Sequence, residues 1–333
     1  MTSEANGHGN SPWEGRCQVL SLDGGGLRGI FTAASLAALE NDLGSPVIDH
    51  FDLITGTSTG GLIALGLGAG VSARSILDFY LEEGPRIFRY PRLRTPRHLL
   101  RSKYDGRELE AAVRRQLGDR LLGNSKVRLV IPAFDLTRND VYLFKTPHHP
   151  RLRRDWRVPM WEVAMSTSGA PTYLPAHVLQ EDRTMLVDGG IWANNPCLVG
   201  VTEAVSVLEA QPADIRVLSI GTTSEIQLRP RSTSHGGIYQ WTRKNTLVDV
   251  LLSGQSSGAF ATTGHLLGAD SVMRINPSVP PRLLRIDRLD PDDAVGWASG
   301  ESRRAAPDVK DMFFDHFAKP FESLVQPKEV SNV

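Results

Sequence analysis

A serine with glycine two residues away on either side can sit on a sharp turn with its hydroxyl exposed, and this chain offers two. Gly56-Thr57-Ser58-Thr59-Gly60 follows the apolar run Phe51–Thr55 (FDLIT) and opens onto the small-residue stretch Thr59–Leu67. That strand–turn–helix setting is what a nucleophile elbow requires, because the flanking glycines let the strained turn pack closely. The turn also aims backbone N–H groups and the positive end of a helix towards the hydroxyl, where negative charge is then favoured. Gly254-Gln255-Ser256-Ser257-Gly258 has the same pattern, but Asn245–Ser253 before it reads as a helix. Ser256 therefore lacks the strand, and Ser58 is the candidate nucleophile.

A serine that attacks a carbonyl needs donors for the developing oxyanion and a base for its proton. Gly24-Gly25-Gly26-Leu27-Arg28-Gly29 lies between the apolar run Cys17–Leu22 and a helical pattern. Three consecutive glycines carry a high ordering cost and mark close backbone approach, so N–H groups here could form the oxyanion hole. The same string fits the dinucleotide fingerprint G-x-G-x-x-G, with Asp49 about twenty residues on. Asp49, however, precedes the next strand instead of ending it, and that reading leaves the serine turn unexplained.

The base is harder to find. None of the nine histidines follows a strand in a motif-like setting, and His148-His149, between two prolines, reads as a solvated surface pair. Asp188 ends the short apolar run Thr184–Val187 and is followed by Gly189-Gly190. It would face the C-terminal edge of an open sheet, where active sites of this class lie. Asp-Gly is equally a common turn pair, and spacing alone leaves the two readings level.

The elements that must carry these residues alternate. Strands are predicted over Cys17–Leu22, Phe51–Thr55, Val127–Phe134, Val141–Phe144, Thr184–Val187 and Ile215–Ile220. Helices are predicted over Gly29–Leu43, Thr59–Leu67, Pro159–Ser166, Pro196–Leu208 and Asn245–Gly264. The pattern predicts an α/β protein with a central, mostly parallel sheet flanked by helices. Residues 1–15 read as a loose tail and 16–333 as one catalytic domain, whose strand signal fades from about residue 222.

Asp23-Gly-Gly-Gly-Leu-Arg-Gly29, Gly56-Thr-Ser-Thr-Gly60 and Asp188-Gly-Gly190, in this order and spacing, resemble the patatin-like phospholipases. Ser166–Pro175 (STSGAPTYLP) resembles the segment that precedes the aspartate in that family, and the likeness runs from about Cys17 to Thr222. The resemblance implies a Ser58–Asp188 dyad without histidine, releasing fatty acids from phospholipids and needing no cofactor or metal. It implies oxyanion donors at Gly24, Gly25 and Gly26, with Arg28 shaping that loop or the developing charge. A dinucleotide-dependent oxidoreductase and an inactive binding module on a hydrolase fold are the alternatives.

Composition bounds the partners. With 37 Lys+Arg against 37 Asp+Glu, no overall charge draws the chain to a nucleic-acid polymer. Two cysteines in no pairing pattern fit a reducing compartment, and no run approaches the roughly 18 apolar residues of a membrane span. A cytoplasmic protein touching the inner face of the membrane is expected. Arg86–Arg107, with eight Lys/Arg against one acid, and Arg151–Arg157 read as solvated loops or as patches for an anionic membrane or small anion. The chain also resembles, in length and early motifs, the patatin-like effectors of bacterial anti-phage systems that respond to cyclic nucleotides. A cyclic di- or trinucleotide activator and a homo-oligomer are therefore among the expectations.

Overall fold

A computed structural model describes residues 13, 15–89, 102–224, 237, 241, 246–279 and 290–324. The strands, in chain order, are β1 (Cys17–Leu22), β2 (Leu53–Gly56), β3 (Arg128–Asp135), β4 (Asp140–Lys145), β5 (His177–Val178), β6 (Met185–Asp188), β7 (Ile215–Ile220) and β8 (Val272–Ile275). They form one sheet in the order β5-β6-β3-β2-β1-β7-β8, with β4 also paired to β3. β3, β2, β1, β7 and β8 run parallel, while β4, β5 and β6 pair antiparallel.

All six residues of β1 are buried, as expected of a central strand covered on both faces. Alternate side chains point to opposite faces and feed two separate cores. Leu20, Leu22, Ile54, Ile131, Leu218 and Ile220 join one; Cys17, Val19, Leu53, Val130, Ile215 and Val217 join the other. The first is covered by α1 (Gly29–Leu43), α2 (Thr59–Gly68), α3 (Ala73–Ile87), α4 (Arg107–Leu117) and α5 (Met160–Ser168), and the second by α7 (Cys197–Ser206), which follows the short α6 (Gly190–Ala193). α8 (Thr246–Leu267) lies beside α7, and α9 (Pro291–Phe313) packs on α1. α1 stops at Gly44, which is left-handed with φ 71°. This glycine C-cap satisfies a terminal carbonyl where a residue with Cβ would be strained.

Three expectations change. The C-terminal third is not strandless: β8 extends the sheet, and its signal was hidden because a four-residue run, VMRI, carries Arg274. Arg274 is tolerated there because Asp23 accepts from it at 2.6 and 3.2 Å. Trp13, assigned to the tail, is buried in the second core and its indole donates to the Leu208 carbonyl at 2.7 Å. His148 is buried, not solvated, held between Thr146 at 2.8 Å and Glu203 at 3.0 Å. No helix among the described residues is long and apolar enough to cross a membrane.

Candidate active site

Strand register brings Ser58 and Asp188 together. β2 pairs with Arg128–Val130 of β3, and β6 pairs with Ala133–Asp135. β4 occupies the other edge of β3 from Val130 to Asp135. β2 and β6 must therefore share one edge of β3, and their C-terminal ends meet head-on at Ile131–Pro132. Asp188 therefore faces the C-terminal end of β2, and it does so from the tip of an antiparallel strand that points back towards Ser58.

The turn after β2 is sterically forced. Ser58 has φ 55° and ψ −122°, a strained conformation for a residue with a Cβ. A Cβ on Gly56 would strike the Gly60 carbonyl, and one on Gly60 would strike the Leu22 carbonyl. The Ser58 N–H donates to Thr167 Oγ1 at 2.9 Å, and that hydroxyl donates to the Pro132 carbonyl at 2.6 Å. Pro132 thus faces the gap between β2 and β6 with a carbonyl that no strand pairs. Behind Ser58, Thr59 Oγ1 and the Tyr80 hydroxyl lie 2.5 Å apart.

The Ser58 side chain lies beside the Asp188 carboxylate, near enough to favour its charged form, and both line one pocket. The Gly190 N–H donates to Asp188 Oδ1 at 2.7 Å. Asp188 is only 6% exposed. Burial pushes its pKa up to about 6, against the opposing pull of Ser58 and the Gly190 N–H. Desolvation disfavours the charged form, which makes this carboxylate a far better proton acceptor than a free one. Gly189 is needed for close approach, since a Cβ there would run into the Pro132 carbonyl.

The glycine loop divides its labour. Gly25 and Gly26 line a pocket with Ser58 and Asp188. Gly24 does not serve as a donor to it, because its N–H is engaged by the Asn194 carbonyl at 2.9 Å. Arg28 points away from the Ser58 pocket, and its Nε donates to the Gly25 carbonyl at 3.3 Å, which bears on loop shape. Gly26 has φ 59°, and a Cβ on Gly25 would collide with Thr222, whose hydroxyl donates to the Gly24 carbonyl at 3.0 Å. Ser256 sits mid-way along α8, as its context predicts, and accepts from Asn194 Nδ2 at 2.9 Å. It supports the loop's anchor instead of attacking anything.

The pocket beside Ser58 holds about 260 Å³ and is walled mainly by Leu62, Phe79, Ile87, Phe88, Leu109 and Leu174. Apolar walls that converge on a few polar groups suit an alkyl chain ending in an ester. Ile191, Val248 and Leu251 line the pocket as well, yet are 49, 40 and 62% exposed. None of the described histidines lines it, and the described residues contain no cluster of three or more metal-ligating side chains. Asp49 is exposed and precedes β2, at the opposite end of the sheet from Gly24–Gly29. A dinucleotide could not span from one to the other.

The basic segments fall elsewhere. Arg92, Arg94, Arg97 and Arg101 lie outside the described residues. Arg86 pairs with Glu83 at 3.2 Å and Arg107 with Asp105 at 2.7 Å. Arg154 pairs with Asp155 at 2.8 Å, in a loop that adjoins residues 122–126 at the far end of α2, away from Ser58.

Comparison with known proteins gives the family. The profile of the patatin-like phospholipases matches residues 20–200. A cGAMP-activated phospholipase of Pseudomonas aeruginosa is 36% identical over 278 residues, covering 82% of this chain and 82% of its own. The chain belongs to the patatin-like phospholipase family. A second relative, the cGAMP-activated phospholipase of Vibrio cholerae, is 38% identical over 229 residues, 62% of this chain and 64% of its own. The solved structure of VipD from Legionella pneumophila aligns over 88% of this chain and 67% of that one at 10% identity with a TM-score of 0.46, a likeness too distant to add weight.

Membership of the patatin-like phospholipases makes this an ester hydrolase, and the oxidoreductase alternative has no support. Sequence reasoning missed Thr167, Asn194, Thr222 and Tyr80. Only Thr167, inside the family-like segment Ser166–Pro175, carried any local signal.

Proposed function

We propose that this chain releases fatty acids from membrane phospholipids through an acyl-enzyme on Ser58, with Asp188 as general base. The observation that carries this reading is the Ser58 side chain beside a buried, high-pKa carboxylate at the head of an apolar pocket. Asp188 takes the hydroxyl proton as Oγ attacks the ester carbonyl, and the oxyanion is received by the N–H groups of Gly25 and Gly26. Collapse breaks the ester C–O bond, and Asp188 returns the proton to the departing lysolipid oxygen. Water, deprotonated by the same carboxylate, then attacks the acyl-serine and frees the acid. Donors of this kind contribute about 2.7–4 kcal/mol each in comparable hydrolases.

The exposed apolar rim of Ile191, Val248 and Leu251 supports contact with a phospholipid surface at the pocket mouth. An apolar patch bordering a binding pocket is the usual mark of such a site. The relatives' names support activation by cGAMP; a role in anti-phage defence at the inner face of the membrane, with self-assembly as one way to order the site, belongs to the proposal. The test is incubation of wild type, Ser58→Ala and Asp188→Asn with mixed phospholipid vesicles and cGAMP, followed by mass spectrometry of products. Fatty acid release by wild type alone supports the dyad; release by a folded Ser58→Ala protein sinks it.

A further inference from the structure

A second cavity, of about 370 Å³, lies on the other side of the glycine loop from the acyl pocket. The two share Asn194 and Leu252 as a common wall. Its lining is mainly polar: Arg28, Thr222, Thr223, Asp249, Arg274 and Asn276 converge there with serines of α8. The size falls within the range of about 300–1,000 Å³ typical of small-molecule sites.

Three groups in this cavity are unmatched among the described residues. Arg28 makes its one hydrogen bond through Nε, leaving the terminal guanidinium nitrogens without an acceptor. Thr223 Oγ1 and Asn276 Oδ1 are buried atoms with no hydrogen-bond partner. A buried polar atom left unpaired costs about 1–3 kcal/mol, a cost that a ligand in the cavity would offset once either side chain turned towards it. The chemistry of that ligand follows from theirs. A guanidinium fork accepts a phosphate in bidentate fashion. The Asn276 amide oxygen can only accept, so it calls for an N–H or O–H brought by the ligand. Arg274 is already matched by Asp23, and Asp249 offsets part of the remaining positive charge. A bare anion would leave the acceptors unserved.

We propose that this cavity is a regulatory nucleotide site, taking a ligand that joins a phosphate to base N–H donors and setting the Gly24–Gly26 loop against Ser58. The inference rests on the hydrolase reading above and names where its activator binds. Coupling is direct. Thr222 and Arg28, both lining the cavity, hold the carbonyls of Gly24 and Gly25 at 3.0 and 3.3 Å. Asn194 in the shared wall holds the Gly24 N–H. A phosphate that draws Arg28 off the Gly25 carbonyl changes the peptide that precedes the Gly26 N–H, one of the two oxyanion donors. A ligand can do this only by binding the active loop arrangement more tightly than the resting one. Activation by about a hundredfold corresponds to about 2.7 kcal/mol of such preference.

The experiment is calorimetric titration of the full chain with cGAMP and, separately, glycerophosphoethanolamine, alongside hydrolysis of a soluble short-chain ester. Two variants leave the acyl pocket untouched: Asn276→Ala removes the orphaned acceptor, and Ser257→Trp on the exposed side of α8 fills the cavity. Wild type should bind cGAMP and be activated. Each variant should bind it at least about tenfold more weakly with its unliganded rate unchanged. If both folded variants bind and respond like wild type, the site is wrong while nucleotide activation stands. If wild type hydrolyses esters but ignores cGAMP, the proposal falls. Variant-sensitive binding of glycerophosphoethanolamine would then make the cavity a lipid headgroup site. Variant-sensitive cGAMP binding by a chain that cleaves no ester upholds the cavity and overturns the hydrolase reading instead.

Discussion

Ser58 and Asp188 stand at the tips of two strands that occupy the same edge of β3 and approach each other head-on. The arrangement removes the need for a histidine to bridge them. It also buries the carboxylate, because a strand end closed off by another strand end has no open side to solvent. The high pKa of Asp188 is thus a consequence of sheet topology.

That pKa has a measurable consequence for stability. A carboxyl ordinarily near 3.8 that sits at about 6 in the folded chain opposes ionisation by roughly 3 kcal/mol. Because the folded pKa is raised, this stabilisation is complete below pH 4 and is lost as pH rises through 6. Asp188→Asn should therefore melt higher than wild type at pH 8, and the difference should vanish at pH 4. Ester hydrolysis by wild type should rise through pH 6 as the base ionises. Equal melting temperatures at both pH values would contradict the buried-base account.

Thr167 ties the nucleophile turn to β3 through two bonds, from the Ser58 N–H and to the Pro132 carbonyl. Thr167→Val keeps the shape but leaves both groups unmatched, at a cost of about 1–3 kcal/mol each. A lower melting temperature and a reduced kcat with little change in KM are expected. Thr167→Ser should restore both. Steady-state kinetics on a soluble ester, with melts in parallel, decide the matter.

The two glycine-serine segments should respond oppositely to alanine. At Gly60 an added Cβ meets backbone atoms of Leu22 and Asp23, so Gly60→Ala should fail to fold. At Gly254 and Gly258, on α8, nothing lies within 4 Å of the added Cβ. Alanine there should stabilise by about 0.5–1 kcal/mol each, since glycine is a poor residue for a helix interior. Expression yield and thermal melts provide the comparison, and a well-folded Gly60→Ala protein would argue against the tight elbow.

Val248 and Leu251 on α8 are 40 and 62% exposed at the pocket mouth. Replacing both by Asp should release the protein from phospholipid vesicles in a cosedimentation assay, a readout independent of turnover. Unchanged binding would move membrane contact to another face.

Much of this protein could be read from local pattern. Strand limits at Cys17–Leu22 and Ile215–Ile220, and helix limits at Gly29–Leu43, follow from apolar periodicity and a glycine stop. Ser58 could be chosen over Ser256 because a strand–turn–helix is a short-range signal, and α8 confirms that Ser256 lies within a helix. Other features were settled only by tertiary structure. Asp188 is useful because β6 runs antiparallel and ends opposite β2, which depends on β6 pairing with β3, about fifty residues earlier in the chain. Gly24 lost its expected role because a carbonyl 170 residues further on, at Asn194, takes its N–H. His148 looked solvated between prolines until Glu203 was brought against it. In each case the deciding quantity was burial or a hydrogen bond between distant segments. Spacing along a chain constrains steric turns and periodicity, whereas desolvation and the partner of each buried polar group exist only once the layers have packed.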